Sequence, residues 1–158
     1  SVIPFFQDLK KKGSKNLPIT DTRMTRFFIT QDQAIKFVIK SLKLMNGGEI
    51  FIPKIPSIRI TDLAKAVNPN AKLKFIGFRE GEKLDEVLCP AESYNNTIEF
   101  KNYYLIYPVI NYKKTENYYL NILGEKGKKV SKNFYYSSNN NKAWFSINEM
   151  KKVLKGIT

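Results

Sequence analysis

Residues 30–53 are TQDQAIKFVIKSLKLMNGGEIFIP, and this stretch decides the fold class. Thr30 and Gln33 form a capping-box pattern, because the threonine hydroxyl can accept from the Gln33 amide while the Gln33 side chain reaches back. The apolar residues that follow have the spacing of one helix face: Ile35, Val38, Ile39, Leu42 and Met45. Residues 46–48, Asn-Gly-Gly, end this helix. Residues 49–53 then form a short apolar run, which predicts a strand that ends at its proline.

Helices and strands alternate on both sides of this stretch. Before this stretch, apolar spacing and turn residues predict a helix at 2–9, which is followed by three lysines and Gly13, and a loop at 15–25. After it, they predict an extended piece at 58–60, a helix that Thr61 caps and that ends at Val67, and a strand at 72–76. Leu84, Val87 and Leu88 then predict a further helical stretch. An alternation of this kind is typical of an α/β fold.

The composition changes after Cys89-Pro90, where tyrosine and asparagine become frequent. Residues 99–109 predict a strand rich in aromatics, and 115–141 have few periodic apolar positions, which indicates an extended tail with a polar loop at 135–141. Residues 144–154 predict a last short helix. We therefore expect two parts: an α/β portion at 1–90 and a C-terminal extension at 91–158.

Cysteine and histidine usage excludes several kinds of site. The chain has one cysteine, Cys89, and no histidine, so an internal disulfide framework is excluded and a metal site lacks its commonest ligand. Without a histidine partner, Cys89 is expected to be buried and inert. The sequence begins at Ser1 in mid-pattern, and it has neither a leader nor an apolar run of about 20 residues that could span a bilayer. We expect a fragment of a longer cytoplasmic protein.

The net charge of +13 raises the question of a nucleic-acid partner. The lysines are spread along the chain in pairs and triplets, and no zinc-finger or RNP-like pattern accompanies them. We interpret the excess of lysine, asparagine and isoleucine as a bias of composition. A basic module that binds nucleic acid is the disfavoured alternative.

The four arginines are informative because the other 23 of the 27 basic residues are lysines. Arginine offers a planar fork of donors that binds phosphate or carboxylate bidentately. Arg26 precedes an aromatic pair and the capped helix, and Arg79 follows a strand next to a glycine-bearing turn, so we predict that they bind a diphosphate from two sides. The alternative for Arg26 is an exposed ion pair with Asp21 or Asp32.

Two further residues lie close to these arginines. Thr20 follows a proline-stiffened turn, and its hydroxyl could reach a phosphate or a sugar; the alternative is an ordinary loop threonine. Glu82 could accept from a ribose hydroxyl or orient Arg79, and the alternative is a carboxylate that stabilises a helix N-terminus. No G-x-G-x-x-G loop and no Tyr-x-x-x-Lys pattern are present, so the sequence predicts neither a catalytic residue nor a cofactor-binding residue.

Four segments together resemble a known family. They are SVIPFF at 1–6, LPITD with RMTRFFIT within 17–30, GGEIFIPKIP at 47–56 and IGFREGEKL at 76–84, and the tail adds GEKG at 124–127 and YSSNN at 136–140 with Trp144. The chain resembles the C-terminal half of the inverting UDP-N-acetylglucosamine 4,6-dehydratases, which are extended short-chain dehydrogenase/reductases. The similarity spans nearly the whole chain.

The resemblance implies a fold, a reaction and a set of roles. In such lyases NADP takes a hydride from C4 of the sugar, water is lost across C5 and C6, and the hydride returns at C6. The product feeds pseudaminic acid, surface polysaccharide or flagellin glycosylation. The chain would supply the substrate-binding portion of an extended Rossmann-type fold. Its substrate-binding residues would be Val2 near the start of the substrate-domain helix, Thr20 in the loop beside the nucleotide, Arg26 and Arg79 on the diphosphate, and Glu82 on the ribose. Val2 is implied by the resemblance alone.

The same resemblance assigns the cofactor loop and the catalytic tyrosine and lysine to an N-terminal Rossmann half that precedes Ser1. NADP would be bound by that half and not by this fragment, and the full-length protein is expected to be a homo-oligomer. The alternatives that the sequence leaves open are a UDP-sugar epimerase fragment, a nucleic-acid-binding module and a non-catalytic remnant.

Overall fold

The computed structural model describes residues 2–78, 80–109 and 117–157, apart from the side chain of residue 157. The helices are α1 (Val2–Lys11), α2 (Gln31–Leu44), α3 (Ile60–Val67) and α4 (Ile147–Ile157), with a 3₁₀ helix at Ala91–Asn96. The strands are β1 (Asn16–Ile19), β2 (Thr25–Phe27), β3 (Ile50–Pro53), β4 (Ser57–Arg59), β5 (Lys72–Phe75), β6 (Val87–Cys89), β7 (Thr97–Glu99), β8 (Tyr103–Ile106), β9 (Lys128–Lys129) and β10 (Tyr136–Ser137). The predicted α/β class is confirmed.

The chain forms two compact units that interleave along the sequence. Unit 1 comprises residues 1–28, 56–86 and 138–158, and unit 2 comprises residues 29–55 and 87–137. Each unit has its own buried cluster of apolar side chains. The boundary expected between residues 90 and 91 stays a prediction.

Unit 1 is built on a parallel pair of strands, in which β1 lies beside β5 with Leu17 opposite Leu73 and Ile19 opposite Phe75. Leu17 and Ile19 are fully buried, so one face of β1 faces the core. The core of unit 1 also contains apolar side chains of α1, α3 and α4: Phe6, Leu63, Ala64, Val67, Met150 and Leu154. The predicted terminal helix therefore packs within this unit.

Residues 15–25 were expected to form a loop, and only Lys15 and residues 20–24 do so. Residues 16–19 form β1, and β2 begins at Thr25. The strand partners of these segments are distant in sequence, since β1 pairs with β5 and β2 pairs antiparallel with β4. Pro18 lacks an amide hydrogen, and it is tolerated because β1 is an edge strand of a two-stranded sheet.

The start of α3 also differs from the expectation. Thr61 was expected to cap this helix, but the helix begins at Ile60, and the N-cap residue Arg59 makes no side-chain capping hydrogen bond. The Ile60 amide instead donates to the Met24 carbonyl at 3.0 Å. Strand β4 therefore runs directly into α3, and a tertiary hydrogen bond satisfies the helix amide that a cap would otherwise satisfy.

Unit 2 contains an antiparallel sheet with the strand order β3-β8-β7-β9. Helix α2 begins with the predicted capping box between Thr30 and Gln33, and Gly47 and Gly48 adopt positive φ after its last turn. Phe37 and Leu44 of α2 pack in the core of unit 2. The five apolar residues that defined the predicted helix face are exposed: Ile35, Val38, Ile39, Leu42 and Met45.

Two further expectations are corrected in the remainder of the chain. Residues 87–89 form β6, which pairs antiparallel with β10, and not the helical stretch expected from Leu84, Val87 and Leu88. The distant partner strand decides the conformation, since a three-residue apolar spacing fits either structure. The segment expected to be a tail contains core residues: Tyr136 and Ser137 are buried, and the Tyr136 hydroxyl bonds both to the amide and to the carbonyl of Ile55.

Gly127 lies against the buried side chains of Ile98 and Phe100, and we predict that it tolerates no larger residue. A Cβ at position 127 would collide with Ile98 Cγ2 and come within 2.9 Å of Phe100 Cζ. Gly127→Ala should therefore lower the free energy of unfolding by about 1–3 kcal/mol, measured by chemical denaturation. Gly156→Ala is the matched control: position 156 lies near the end of α4 with open space around it, so the same change should not lower the stability. Equal stability of both variants would contradict this packing.

Candidate functional site

The carboxyl ends of β1 and β5 bring two predicted site residues together. Parallel strands end at the same edge of a sheet, and the Ile76 amide extends the pairing by donating to the Ile19 carbonyl at 2.9 Å. Thr20 follows β1, and its hydroxyl donates to Glu82 Oε1 in the segment after β5, at 3.1 Å. The edge where ligands gather in α/β folds thus carries a hydroxyl and a carboxylate in direct contact.

Arg26 holds the same segment from β2. Its Nη1 donates to the carbonyls of Thr25 at 2.7 Å and Leu84 at 3.0 Å, and its Nη2 donates to the Lys83 carbonyl at 2.8 Å. The Thr25 amide also donates to the Leu84 carbonyl at 3.1 Å. Arg26 therefore fixes the backbone that carries Glu82.

Arg26 has N–H groups left that could bind a ligand. A guanidinium has five N–H groups, and the three backbone carbonyls use both hydrogens of Nη1 and one of Nη2. One Nη2 hydrogen and the Nε hydrogen remain, although Glu86 Oε1 lies 3.8 Å from Nε. Arg26 can bind an anion with this second edge while its first edge holds the protein backbone.

A buried network supports this arrangement from the other side of β2. The Thr25 hydroxyl contacts Asp85 Oδ1 at 2.5 Å and Ser138 Oγ at 2.6 Å. The Glu86 amide donates to Ser138 Oγ at 2.9 Å, and the Ser138 amide donates to the Glu86 carbonyl at 2.8 Å. Thr25 and Ser138 are almost completely buried. The segment that follows Glu82 is thus fixed by hydrogen bonds at both ends.

The remaining predicted site residues are placed as follows. Val2 lies at the first residue of α1, where it is half-buried and packs against the core of unit 1. Arg79 lies outside the described residues, so its role stays a prediction. The alternative for Glu82, a carboxylate at a helix N-terminus, is wrong because a strand follows it. Arg26 does not form the alternative ion pair with Asp21, which is bound instead by Arg23 through Nε at 3.0 Å and Nη2 at 2.8 Å.

A basic cavity of about 580 Å³ adjoins this network in unit 1. Arg23, Arg59 and Lys65 carry its positive charge, and the Arg59 guanidinium lies 5.7 Å from the centre of the Trp144 ring. Thr25 and Asn139 also line it, and Asn139 Nδ2 donates to Asp85 Oδ2 at 2.8 Å. The Arg23 side chain, by its hydrogen bonds, lowers the pKa of Asp21 to about 2, so that carboxylate stays charged at neutral pH.

Sequence reasoning did not assign Arg59, Lys65, Asn139 and Trp144 to the site. Arg59 and Lys65 lie on β4 and α3, Asn139 comes from the predicted polar loop, and Trp144 lies three residues before the first residue of α4. The scarcity of arginine was a usable signal for Arg59. Nothing in the spacing of the other three residues indicates that they line one cavity.

A second cavity, of about 670 Å³, collects lysines from both ends of the chain. Lys10 and Lys11 of α1 meet three lysines of α4 there: Lys151, Lys152 and Lys155. The apolar floor includes Ala66, Val67 and Leu154, and Lys10 Nζ donates to the Val67 carbonyl at 2.8 Å. The interpretation that the positive charge is scattered is therefore true of the sequence but not of this surface.

The structure bears on three other predictions. Cys89 is fully buried, as expected, and burial raises the pKa of its thiol. Within residues 2–78, 80–109 and 117–157, no three His, Cys, Asp or Glu side chains are grouped to hold a metal ion. Of the helices in the same ranges, none combines the length and the apolar character that crossing a membrane requires.

Fold and site together define an α/β protein that gathers hydroxyl, carboxylate and guanidinium groups at one edge of a parallel strand pair. Residues 1–108 match the model of the family described as "Polysaccharide biosynthesis protein". The chain belongs to this family.

Individual relatives are similar over nearly the whole chain. A UDP-N-acetylglucosamine 4,6-dehydratase (inverting) of Campylobacter jejuni is 51% identical over 155 residues, which cover 98% of this chain and 46% of that protein. A UDP-glucose 4-epimerase of Rickettsia rickettsii is 35% identical over 98% of this chain and 45% of its own length. The chain spans about half the length of these relatives.

Among solved structures, the X-ray structure of Pen from Bacillus thuringiensis is similar to this one. The TM-score is 0.80 at 27% identity, and the similarity covers 99% of this chain and 46% of the Pen chain. This chain thus matches a little less than half of Pen, as it matches a little less than half of each relative.

Proposed function

We propose that this chain is the substrate-binding part of an inverting UDP-N-acetylglucosamine 4,6-dehydratase. The observation that supports it most is the junction of Thr20, Arg26 and Glu82 at the carboxyl ends of two parallel strands. The 51% identity to the Campylobacter jejuni dehydratase favours this reaction over epimerisation, since the epimerase relatives are 35% identical. A UDP-sugar epimerase fragment is the weaker alternative.

The proposed roles follow from the chemistry of each group. Arg26 uses its free Nε and Nη2 hydrogens on one phosphate of the substrate, and Arg79 binds the diphosphate from the second loop. Glu82 accepts from a ribose hydroxyl, Thr20 orients Glu82 and lies beside the nucleotide, and Val2 contributes an apolar contact. The basic cavity at Arg23, Arg59 and Lys65 raises the local concentration of the anionic substrate.

The chemical step belongs to the other half of the protein in this proposal. NADP, bound by an N-terminal Rossmann half, would supply the hydride acceptor and donor, and that half would also supply the catalytic residues. This chain binds and orients the UDP-sugar. The proposed protein is a cytoplasmic lyase and a homo-oligomer when full length, and its product serves pseudaminic acid, surface polysaccharide or flagellin glycosylation.

Glu82 provides a direct test of substrate binding. The protein to use is a full-length hybrid, in which this chain replaces the C-terminal half of the Campylobacter jejuni relative. Glu82→Gln keeps the shape of the side chain but removes its charge, so UDP affinity measured by calorimetry should fall about tenfold through the weakened hydrogen bond to the ribose. Glu92→Gln, at an exposed position of unit 2, is the control and should bind UDP as the parent does. Unchanged affinity of the Glu82 variant would remove this residue from the site.

The lysine cavity is the one observation that favours nucleic-acid binding as a second candidate function. Five lysines around one cavity provide the clustered charge that a phosphate backbone needs. This function predicts oligonucleotide binding that weakens steeply as salt rises and that Lys151→Gln/Lys152→Gln reduces. The dehydratase proposal predicts instead that UDP displaces bound UDP-N-acetylglucosamine and that an oligonucleotide does not. A competition titration at two salt concentrations distinguishes the two functions.

A further inference from the structure

The basic cavity of unit 1 lies on the face of the β2-β4 strand pair that is opposite to the Arg26 side chain. In this pair Thr25 lies opposite Arg59, and Arg26 lies opposite Ile58. Directly paired residues place their side chains on one face of a sheet, and the next residue of each strand faces the other way. Thr25 and Arg59 both line the cavity, so Arg26 extends from the other face. A ligand in the cavity would therefore be held by different side chains from those proposed to bind the substrate diphosphate.

Two cations of this cavity lack a counterion. The Asp21 carboxylate neutralises Arg23 by accepting two hydrogen bonds from its guanidinium. Neither Arg59 nor Lys65 forms an ion pair or donates a hydrogen bond to a described residue, and Arg59 only lies over the Trp144 ring. None of the described residues that line the cavity is acidic. A concave surface with unpaired charges of one sign attracts a ligand of the opposite sign, here an anion.

The neutral side chains of the cavity fit a phosphate group and the carbon skeleton of an ester. Thr22 and Thr61 contribute hydroxyls, which can donate to phosphate oxygens. Leu73, Phe75 and Trp144 form the apolar part of the lining, and the last two are 56% and 38% exposed. The volume of about 580 Å³ suits a small molecule. Charge, donors and apolar surface thus meet in one place, as the recognition of a small phosphate ester requires.

We propose that this cavity is a second phosphate-binding site, which takes inorganic phosphate or the phosphate group of a small ester. Arg59 and Lys65 bind the phosphate oxygens through charge-assisted hydrogen bonds. Thr61 lies four residues before Lys65 on α3, so the two side chains share one helix face and can contact the same phosphate. The body of an ester lies against Phe75 and Trp144. The site does not depend on the proposed dehydratase function, because none of the described residues proposed to bind the substrate lines this cavity.

Fluorescence of Trp144 tests the proposal, since this residue is the one tryptophan of the chain. Titration of the full-length hybrid with inorganic phosphate should change the emission of Trp144 in a saturable way, and a Trp144→Phe hybrid gives the background from the other half. Lys65→Gln leaves Arg59 beside the ring and removes one charged donor, so phosphate should bind at least about tenfold more weakly. Lys132→Gln, at an exposed position of unit 2, is the matched control and should bind phosphate as the parent does.

A second titration with glucose 1-phosphate distinguishes the two sources of the phosphate group. Tighter binding of this ester supports a sugar phosphate as the ligand, and equal binding supports inorganic phosphate. Three results would overturn the proposal: no saturable change, a change that sodium chloride reproduces at the same ionic strength, and a phosphate affinity that Lys65→Gln leaves unaltered. Calorimetry of UDP binding to the unsubstituted hybrid reports separately on the proposed function. UDP binding without a phosphate response of Trp144 would reject the second site and retain that function.

Discussion

Arg26→Ala is expected to weaken both the fold of unit 1 and its affinity for a UDP-sugar. The side chain is only 21% exposed, and its guanidinium donates to three backbone carbonyls, two of them in the segment after Glu82. Water can replace some of these bonds, so the free energy of unfolding should fall by about 2–3 kcal/mol, measured by urea denaturation. Affinity of the full-length hybrid for UDP should fall about a hundredfold, because the phosphate loses a charged donor and Glu82 loses its support.

Arg26→Lys separates the two roles of this residue. A lysine keeps the positive charge but lacks the planar fork, so it can attract a phosphate and cannot bind three carbonyls at once. We expect this variant to lose most of the stability that the alanine variant loses and to recover part of the UDP affinity. Lys12→Ala removes an exposed helical ion pair with Asp8 and is the control, with no measurable change in stability. Parental stability of Arg26→Ala would contradict the role of Arg26 in fixing the segment.

Dehydratase activity should be absent from the isolated chain and present in the full-length hybrid. The sequence has no glycine-rich cofactor loop and no Tyr-x-x-x-Lys pattern, so the chain alone should bind no NADP and convert no UDP-N-acetylglucosamine. The hybrid regains these groups from the Campylobacter jejuni relative, and its turnover number should be on the order of 1 per second, within the range usual for enzymes. The formation of the 4-keto sugar can be followed by its absorbance in alkali or by mass spectrometry.

The control for this experiment is a hybrid that carries Glu82→Gln. Its activity at saturating substrate should approach that of the parent hybrid, whereas its KM should be higher, because the proposal gives Glu82 a role in binding only. Turnover by the purified chain on its own would contradict the assignment of catalysis to the other half.

The sequence was sufficient to predict those features that depend on neighbouring residues. The capping box at Thr30 and the strand that ends at Pro53 are local signals, and the structure has both. The helix ends earlier than the predicted glycine stop, at Leu44, with Met45 in an extended conformation. Strands that depend on pairing with a distant segment were predicted less well. Residues 16–19 pair with β5, and residues 87–89 pair with β10, so in each case the strand exists because of a segment some 50 residues away.

The candidate site shows the same division. The local sequence indicated Arg26, Thr20 and Glu82 as site residues, although Arg26 lies in strand β2. The structure joins Thr20 to Glu82 and Arg26 to the carbonyls of Lys83 and Leu84. Hydropathy periodicity alone could not show that Arg26 binds the backbone with one edge. It also could not show that the apolar face of α2 is exposed, because an apolar face looks the same in sequence whether or not it is covered.

The most direct measurement is a crystal structure of the full-length hybrid with UDP-N-acetylglucosamine. We predict that the diphosphate lies within hydrogen-bond distance, about 3 Å, of Arg26 Nε or Nη2 and of the Arg79 guanidinium, with the ribose on Glu82. A substrate bound with its diphosphate in the lysine cavity, or remote from both arginines, would contradict it.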